Sequence, residues 1–380
     1  MNARILAAIV IAVIVIGIAA VSFRVTTNIT NSISSNPIHI GAILILSGEG
    51  SSWGTAERNG IQMAVEQVNS EGGINGRPLE INYQDDRGDP TTAVSAFRNL
   101  EARQINMIIG TTWSRTGLAV APLANSSRII MISPSLGVRE FNEQSPYLFN
   151  LWPHDYLLSE RLAEIIYGRG FRNVAVVGAQ EVWVRDQTSA FTRRFNQLGG
   201  NITLLFEPNT DNRDLRTEAA RIRDSNADAI VFLTDGVQVG TIMAQRIREQ
   251  GIERPSFSVT LTQDDITASR NAYDGTIFLT SLTPSAEFEA AYRARFTRDL
   301  EIGGDSAYDA VMLLTQAIRE TNSTDSTVLA TYLNSVQTFN GVSGNMTSDG
   351  RGGFIRPYAA RLIVNGTVQY FSNLSPVIFA

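Results

Sequence analysis

Few side chains in this chain are equipped for covalent chemistry. The sequence has no Cys, two His and 31 Lys+Arg, every one of which is Arg. Disulfides, thiolate nucleophiles and Cys-ligated zinc are therefore excluded. So are a Schiff-base lysine and the lysine of a Walker A phosphate loop. His39 and His154 stand far apart, each without a helix-spaced partner, so neither a metal site nor a cofactor is expected. Neither His stands in a Ser/Asp arrangement suited to a hydrolase. A net charge of -6 lacks the basic face that nucleic acid would need. The remaining groups are better suited to holding a molecule than to changing it.

Those groups gather in hydroxyl- and glycine-rich turns. One runs Ser47-Gly48-Glu49-Gly50-Ser51-Ser52-Trp53-Gly54, a second Gly110-Thr111-Thr112-Trp113-Ser114-Arg115-Thr116-Gly117, and a third Ser133-Pro134-Ser135-Leu136-Gly137. Each follows an apolar run and precedes a polar one. Free backbone N–H groups at such helix starts suit a carboxylate or another polar oxygen, although Ser and Thr there are also ordinary N-caps. The first turn, with Asp85-Asp86 further on, approaches a dinucleotide fingerprint. It fails where Trp53 takes the place of the third glycine. The chain has four Trp: Trp53, Trp113, Trp152 and Trp183. Trp53, Trp113 and Trp183 fall in turns rather than in apolar runs. Converging on one cleft, they would clamp an apolar or cationic small molecule.

The elements that must position these turns alternate strand and helix. Strands are expected at 39–46, 78–84, 105–109 and 129–132, with helices at 52–69, from Asp89-Pro90, and at 117–126. The rhythm then restarts. Helices are expected at 155–167, 188–198, 214–224 and 237–250, and strands at 173–177, 202–206, 229–233 and 257–259. Helices near 285–299, 306–321 and 326–336 come next, then turns and antiparallel strands with an Asn365-Gly366 hairpin. The pattern defines an α/β chain of two open, mostly parallel units. With 380 residues, the chain is long enough for two such units.

Residues 5–21 form an apolar run between Arg4 and Arg24. It is at the short end of the roughly 17–25 residues that span a bilayer, and slightly long for a signal-peptide core. Signal anchor or cleaved signal, it directs the rest of the chain out of the cytoplasm, and the expectation leans to the anchor. Residues 25–37, rich in Ser, Thr and Asn, read as a tether.

With these residues in view, the chain resembles the leucine/isoleucine/valine-binding family of type I periplasmic binding proteins, the substrate-binding components of ABC importers. The stretches that carry the resemblance are Leu46-Ser47-Gly48, Asn69 through Leu79, Tyr83-Gln84-Asp85-Asp86, Asp89-Pro90, Ile109-Gly110, Ile132-Ser133-Pro134, and Asn340-Gly341-Val342-Ser343-Gly344. They span most of residues 38–370 in order. The resemblance implies two Rossmann-like lobes, 38–152 with 283–338 and 153–282 with 339–380, after an N-terminal anchor or signal at 1–24. It implies crossovers at Asn150–Asp155, Leu279–Pro284 and Thr338–Val342, and closure about this hinge. It implies ligand contacts at Trp53, Trp113, Ser114, Arg115, Thr116, Ser135, Leu136, Gly137 and Trp183. Ser114 matches the serine that holds a ligand carboxylate. Gly137 stands where a hydroxylated residue is expected. Asp235, Glu181 and Asp264 are candidates to meet an amino group.

The expected protein is a non-enzymatic, extracytoplasmic receptor at the cell surface or in the periplasm. It would take a small polar or zwitterionic solute, with ABC permease subunits as partners and no nucleic acid. A membrane-tethered sensor of the same fold is the alternative, and an exported enzyme the more distant one.

Overall fold

The computed structural model describes residues 36–152, 155–234, 238–281 and 284–371. The expected N-terminal span lies outside them. Among the described residues, no helix is long and apolar enough to cross a membrane.

The first sheet is built from β1 (Ile38–Leu44), β2 (Leu79–Asp85), β3 (Met107–Gly110), β4 (Ile130–Ser133) and β5 (Leu148–Asn150). They are wound with α1 (Ser51–Ser70), α2 (Pro90–Ala102), α3 (Ser114–Ser127) and the short α4 (Glu140–Glu143). All five strands pair in parallel, in the order β2-β1-β3-β4-β5. β1, β3 and β4 read as near-continuous apolar runs because helices cover both faces of a parallel sheet.

The second sheet repeats the order. α5 (Asp155–Gly168) leads into β6 (Asn173–Val177), α6 (Val182–Gln197), β7 (Asn201–Phe206), α7 (Arg216–Asp224), β8 (Ala229–Phe232), α8 (Gln238–Glu249), β9 (Ser256–Val259), α9 (Gln263–Ala268) and β10 (Ile277–Ser281). The strands run β7-β6-β8-β9-β10 in parallel, so each lobe has its own switch point, β1/β3 in one and β6/β8 in the other. Ligands in open α/β sheets bind outside the carboxyl ends of strands at such points.

The chain then returns to the first lobe as α10 (Ala286–Phe296), α11 (Gly304–Thr321) and α12 (Ser326–Ser335). A small antiparallel sheet of β11 (Thr338–Gly341), β12 (Gly344–Ser348) and β13 (Phe354–Ile355) comes after them. It corrects the expected division. Phe339, Met346 and Phe354 share one apolar core with β1, β3, β4 and α11, so this segment is first-lobe structure. The chain leaves for the second lobe at Arg356-Pro357, not at Thr338–Val342. There β14 (Tyr358–Val364) adds antiparallel to β10, and β15 (Thr367–Tyr370) to β14. Leu279, expected in a crossover, is inside β10. Between β14 and β15, Asn365 and Gly366 both have positive φ, the requirement of the tight hairpin turn.

Two helix starts differ from expectation in a way that matters for the cleft. α3 begins at Ser114 rather than at Gly117, putting Ser114 and Arg115 in its first turn. α6 begins at Val182 rather than at Thr188, because the Glu181 side chain accepts from the Val182 N–H as an N-cap. That places Trp183 in the first turn of α6.

Candidate ligand-binding cleft

The carboxyl ends of both sheets face one cleft, divided by indoles into two chambers. The inner chamber has a volume of about 20 Å³, room for a single water, and is lined in part by Thr112, Ser114, Ser135, Gly137, Trp152 and Asp155. The outer chamber has a volume of about 300 Å³. Trp53, Trp113 and Trp183 line both. The rings of Trp113 and Trp183 meet across the cleft with centroids 6.4 Å apart, tilted by 34°. Trp183 packs against apolar clusters of both lobes.

The glycine-rich turn serves this arrangement. A Cβ on Gly50 would lie 2.4 Å from the Trp113 ring, and Gly50 has φ 82, so this position seats the indole and caps α1 with a backbone that L side chains rarely adopt. The close helix–strand contact falls at Gly54, where a Cβ would stand 2.0 Å from the Ile45 carbonyl oxygen. Trp53, one residue earlier, is thereby free to reach the cleft.

Beneath the inner chamber is a fully buried acid that sequence reasoning missed. The Glu57 carboxyl receives the Thr112 hydroxyl at 2.6 Å and is in short contact with the Ser135 hydroxyl. Thr112 also accepts from the Ile45 N–H at 3.1 Å. The Ser135 hydroxyl is 2.8 Å from the Thr112 carbonyl oxygen, to which it donates. A hydroxyl has one hydrogen, so the contact between Ser135 and Glu57 is best satisfied when Glu57 carries a proton of its own. Burial favours the same form, pushing the Glu57 carboxyl up from 4.5 to about 8. Thr112 and Ser135 are thus fixed as chamber walls by a neutral acid behind them.

Ser114 is different. It is 4% exposed, lines the inner chamber, and its hydroxyl has no hydrogen-bond partner among the described residues. The buried Nε1–H of Trp113 also has none there. The Ser114 hydroxyl is thus left to the inner chamber, and the Trp113 N–H is a buried polar group without a partner, which is costly.

The space beside Gly137 explains the missing hydroxyl side chain. A Cβ on Gly137 would fall 1.8 Å from Oδ2 of Asp155, so the Asp155 carboxylate occupies that volume. Asp155 also accepts the Trp152 Nε1–H at 3.0 Å. Thr116 and Leu136 do not line the cleft. The Thr116 hydroxyl donates to the Trp113 carbonyl at 2.8 Å, and Leu136 is in the first-lobe core. Arg115 lines the outer chamber. It lies 4.3 Å from the Trp113 ring centroid and pairs with Glu181 at 2.7 Å, which withdraws Glu181 from the set of free acids. Asp264 lines the outer chamber, whereas Asp235 lies outside the described residues.

The outer chamber contains the acids that motif reading did not find. Glu49 and Glu301 reach it from the first lobe, Asp211 and Asp265 from the second. Their common signal in sequence is position, since Glu49, Asp211 and Glu301 stand before a helix on the cleft side and Asp265 in the first turn of α9. The Thr262–Asp265 capping box that starts α9 was the one readable local motif.

This is the fold of the two-lobed α/β solute-binding proteins of the type I periplasmic class, with its cleft between mostly parallel sheets. A family model described as "Periplasmic binding protein" matches residues 37–366, and the chain belongs to that family. Among curated relatives, Leu/Ile/Val-binding protein homolog 1 of Brucella melitensis is 22% identical over 322 residues, covering 82% of this chain and 86% of that protein. Leu/Ile/Val-binding protein BraC3 of Rhizobium johnstonii is 24% identical, covering 78% and 83%. A match at 24% to an uncharacterized protein of Methanocaldococcus jannaschii spans 58% of this chain and about half of that protein, 56%. Among solved structures, a leucine-binding protein of Thermotoga maritima superposes with a TM-score of 0.79 at 22% identity, covering 89% and 100%. A solute-binding protein of Rhodopseudomonas palustris, in complex with 3,4-dihydroxybenzoic acid, does so at 0.78 and 21%, covering 88% and 95%.

Proposed function

We propose that this protein is the extracytoplasmic receptor of an ABC importer. It takes a small polar or zwitterionic solute, an amino acid, amide or related compound, into the cleft and delivers it to the permease subunits. The supporting observation is the Ser114 hydroxyl, without a described partner, in a cleft faced by the strand ends of both lobes. It takes the oxygen-bearing end of the solute, aided by the N-terminal backbone of α3. Trp53, Trp113 and Trp183 flank the rest, and Asp235 is proposed to offset a positive charge on it. An inner chamber with room for one water corresponds to a closed form, so the solute enters when the lobes rotate apart about the three connecting segments. The apolar run at residues 5–21 retains the protein at the outer face of the membrane. The protein binds its solute without transforming it.

The test is native mass spectrometry for a co-purified solute, followed by thermal shift with amino acids, amides and small amines. A ligand at ~100 times its Kd stabilises the folded state by about 2.7 kcal/mol. No co-purified solute and no shift with any of these compounds would refute the proposal.

A further inference from the structure

The charge of the outer chamber narrows the solute class. Glu49, Asp211, Asp264, Asp265 and Glu301 line it, and none of them has an ion-pair partner among the described residues. Against them the lining has two arginines, and Arg298 lies near enough to Glu301 to draw its carboxyl down. Arg115 is neutralised by Glu181 at 2.7 Å, and Arg213 hydrogen-bonds to the carbonyls of Thr210 and Asn212. Carboxylates from both lobes thus converge on one space with little cationic compensation. The strain shows in their protonation. Glu301 is pushed above the usual carboxylate range by burial and by the neighbouring Asp264 and Asp299, and Asp265 is raised by burial. The same space is walled by Trp53, Trp113 and Trp183, whose ring faces attract cations. On the inner side of these indoles, Ser114, 4% exposed, lines the small chamber with a hydroxyl that has no described partner.

Resting on the solute-receptor reading above, we infer that the solute is cationic at the end that occupies the outer chamber and carries an oxygen acceptor at the other. A basic amino acid has this chemistry. Its amine or guanidinium would lie among acids of both lobes, so that binding joins them, while its carboxylate reaches Ser114. A branched-chain aliphatic end would leave those carboxylates without a counter-charge, and an anionic aromatic would add to their repulsion.

Calorimetry on the purified chain with L-lysine, L-arginine, L-norleucine, L-leucine and 4-hydroxybenzoate tests this. Norleucine has the lysine chain without the charge. Lysine or arginine is expected to bind at least roughly tenfold tighter than norleucine, and to weaken severalfold as salt rises from about 50 to about 200 mM. The double variant Asp264→Asn/Glu301→Gln is expected to weaken the basic amino acid roughly tenfold and to bind norleucine at least as tightly as the parent does. Equal or tighter binding of norleucine, leucine or 4-hydroxybenzoate overturns the cationic class and leaves the receptor reading intact. So does a double variant that binds the basic amino acid as tightly as the parent. Absence of binding by every compound, with no co-purified solute, removes both.

Discussion

Two ion pairs with nearly the same local geometry occupy opposite ends of the cleft. At the back, Arg356 meets Asp305 at 2.7 Å with its guanidinium 4.9 Å from the Trp152 ring centroid. At the mouth, Arg115 meets Glu181 at 2.7 Å with its guanidinium 4.3 Å from the Trp113 ring centroid. The difference is water. The back pair has side chains 1% and 7% exposed, and the mouth pair 38% and 14%. Arg356 is the residue at which the chain crosses from β13 to β14, and Asp305 opens α11, so the back pair pins a connecting segment onto the first lobe. One turn further along α11, Asp309 accepts from the Val342 and Ser343 N–H groups at 2.8 and 2.9 Å and holds the β11–β12 turn. The mouth pair joins the lobes, as does Arg139 with Asp186 at 3.3 Å. Distance alone does not rank these contacts. Burial makes the back pair costly to break, and hydration makes the mouth pairs reversible, as a receptor that must open requires.

The largest effect is expected at the back. Arg356→Ala leaves the Asp305 carboxylate buried and unpaired, and should destabilise the protein by about 3–5 kcal/mol in denaturant unfolding. Replacing both partners, Arg356→Met with Asp305→Leu, should recover most of that loss. A single variant within about 0.5 kcal/mol of the parent would end the distinction drawn from burial. Glu57, also buried behind the cleft, should reveal itself through pH. Its carboxyl is raised from 4.5 to about 8, so the folded state holds a proton that the unfolded state gives up. Stability from this group is fully present below about 4.5 and falls as pH rises towards 8, by roughly 1.4 kcal/mol per pH unit within that window. Glu57→Gln should remove that slope. Asp309, raised from 3.8 to about 6 by burial, adds a slope of the same sign at lower pH, which cancels in the difference between variant and parent. Unfolding of both proteins at pH 5, 6, 7 and 8 measures the difference, and parallel curves would reject a protonated Glu57.

Trp183 tests the wall between the two ends. It touches the apolar clusters of both lobes and faces Trp113. Trp183→Ala should weaken solute binding by roughly tenfold to a hundredfold, with a smaller loss of stability. Calorimetry giving an unchanged Kd would remove Trp183 from the site.

The fold was legible because its signals are local and periodic. The apolar runs of β1, β3 and β4 and the amphipathic helices announce an α/β chain without any tertiary information. The Asp89 cap before Pro90 and the Asn365-Gly366 turn were equally plain. The mistakes came where a local signal was outweighed at a distance. Phe339 through Phe354 look like the final strands of the second lobe, but the first-lobe core absorbs their aromatic side chains. Two of the turns that hold the cleft indoles could be picked out because Trp53 and Trp113 stand in hydroxyl-rich turns, and Trp183 because it falls outside the apolar run of β6. The role of Gly50 as the seat of an indole could not, because Trp113 arrives from another strand. The same holds for Glu57 beneath Thr112 and Ser135, and for Asp155 filling the place of a side chain at Gly137. These are contacts between turns remote in sequence, and the carboxylates of the outer chamber become a group only when two lobes face each other.

The smallest expected effect is at the mouth, and a double-mutant cycle of Arg115→Gln and Glu181→Gln isolates it. Each single variant mixes several losses, since Arg115 also donates to the Gly88 carbonyl at 2.8 Å and covers Trp113, while Glu181 caps α6. The cycle subtracts these and leaves the pair. A coupling of about 0.2–1 kcal/mol is expected, shrinking in ~1 M salt as a hydrated pair is screened. Small-angle scattering of the double variant should show a larger radius of gyration in the absence of solute, because a contact that holds the lobes together is gone. A coupling of about 3 kcal/mol or more, indifferent to salt, would place the mouth pair in the same class as Arg356 with Asp305. The closed form would then be locked rather than poised, and the solute would have to enter by some route other than the separation of Arg115 from Glu181.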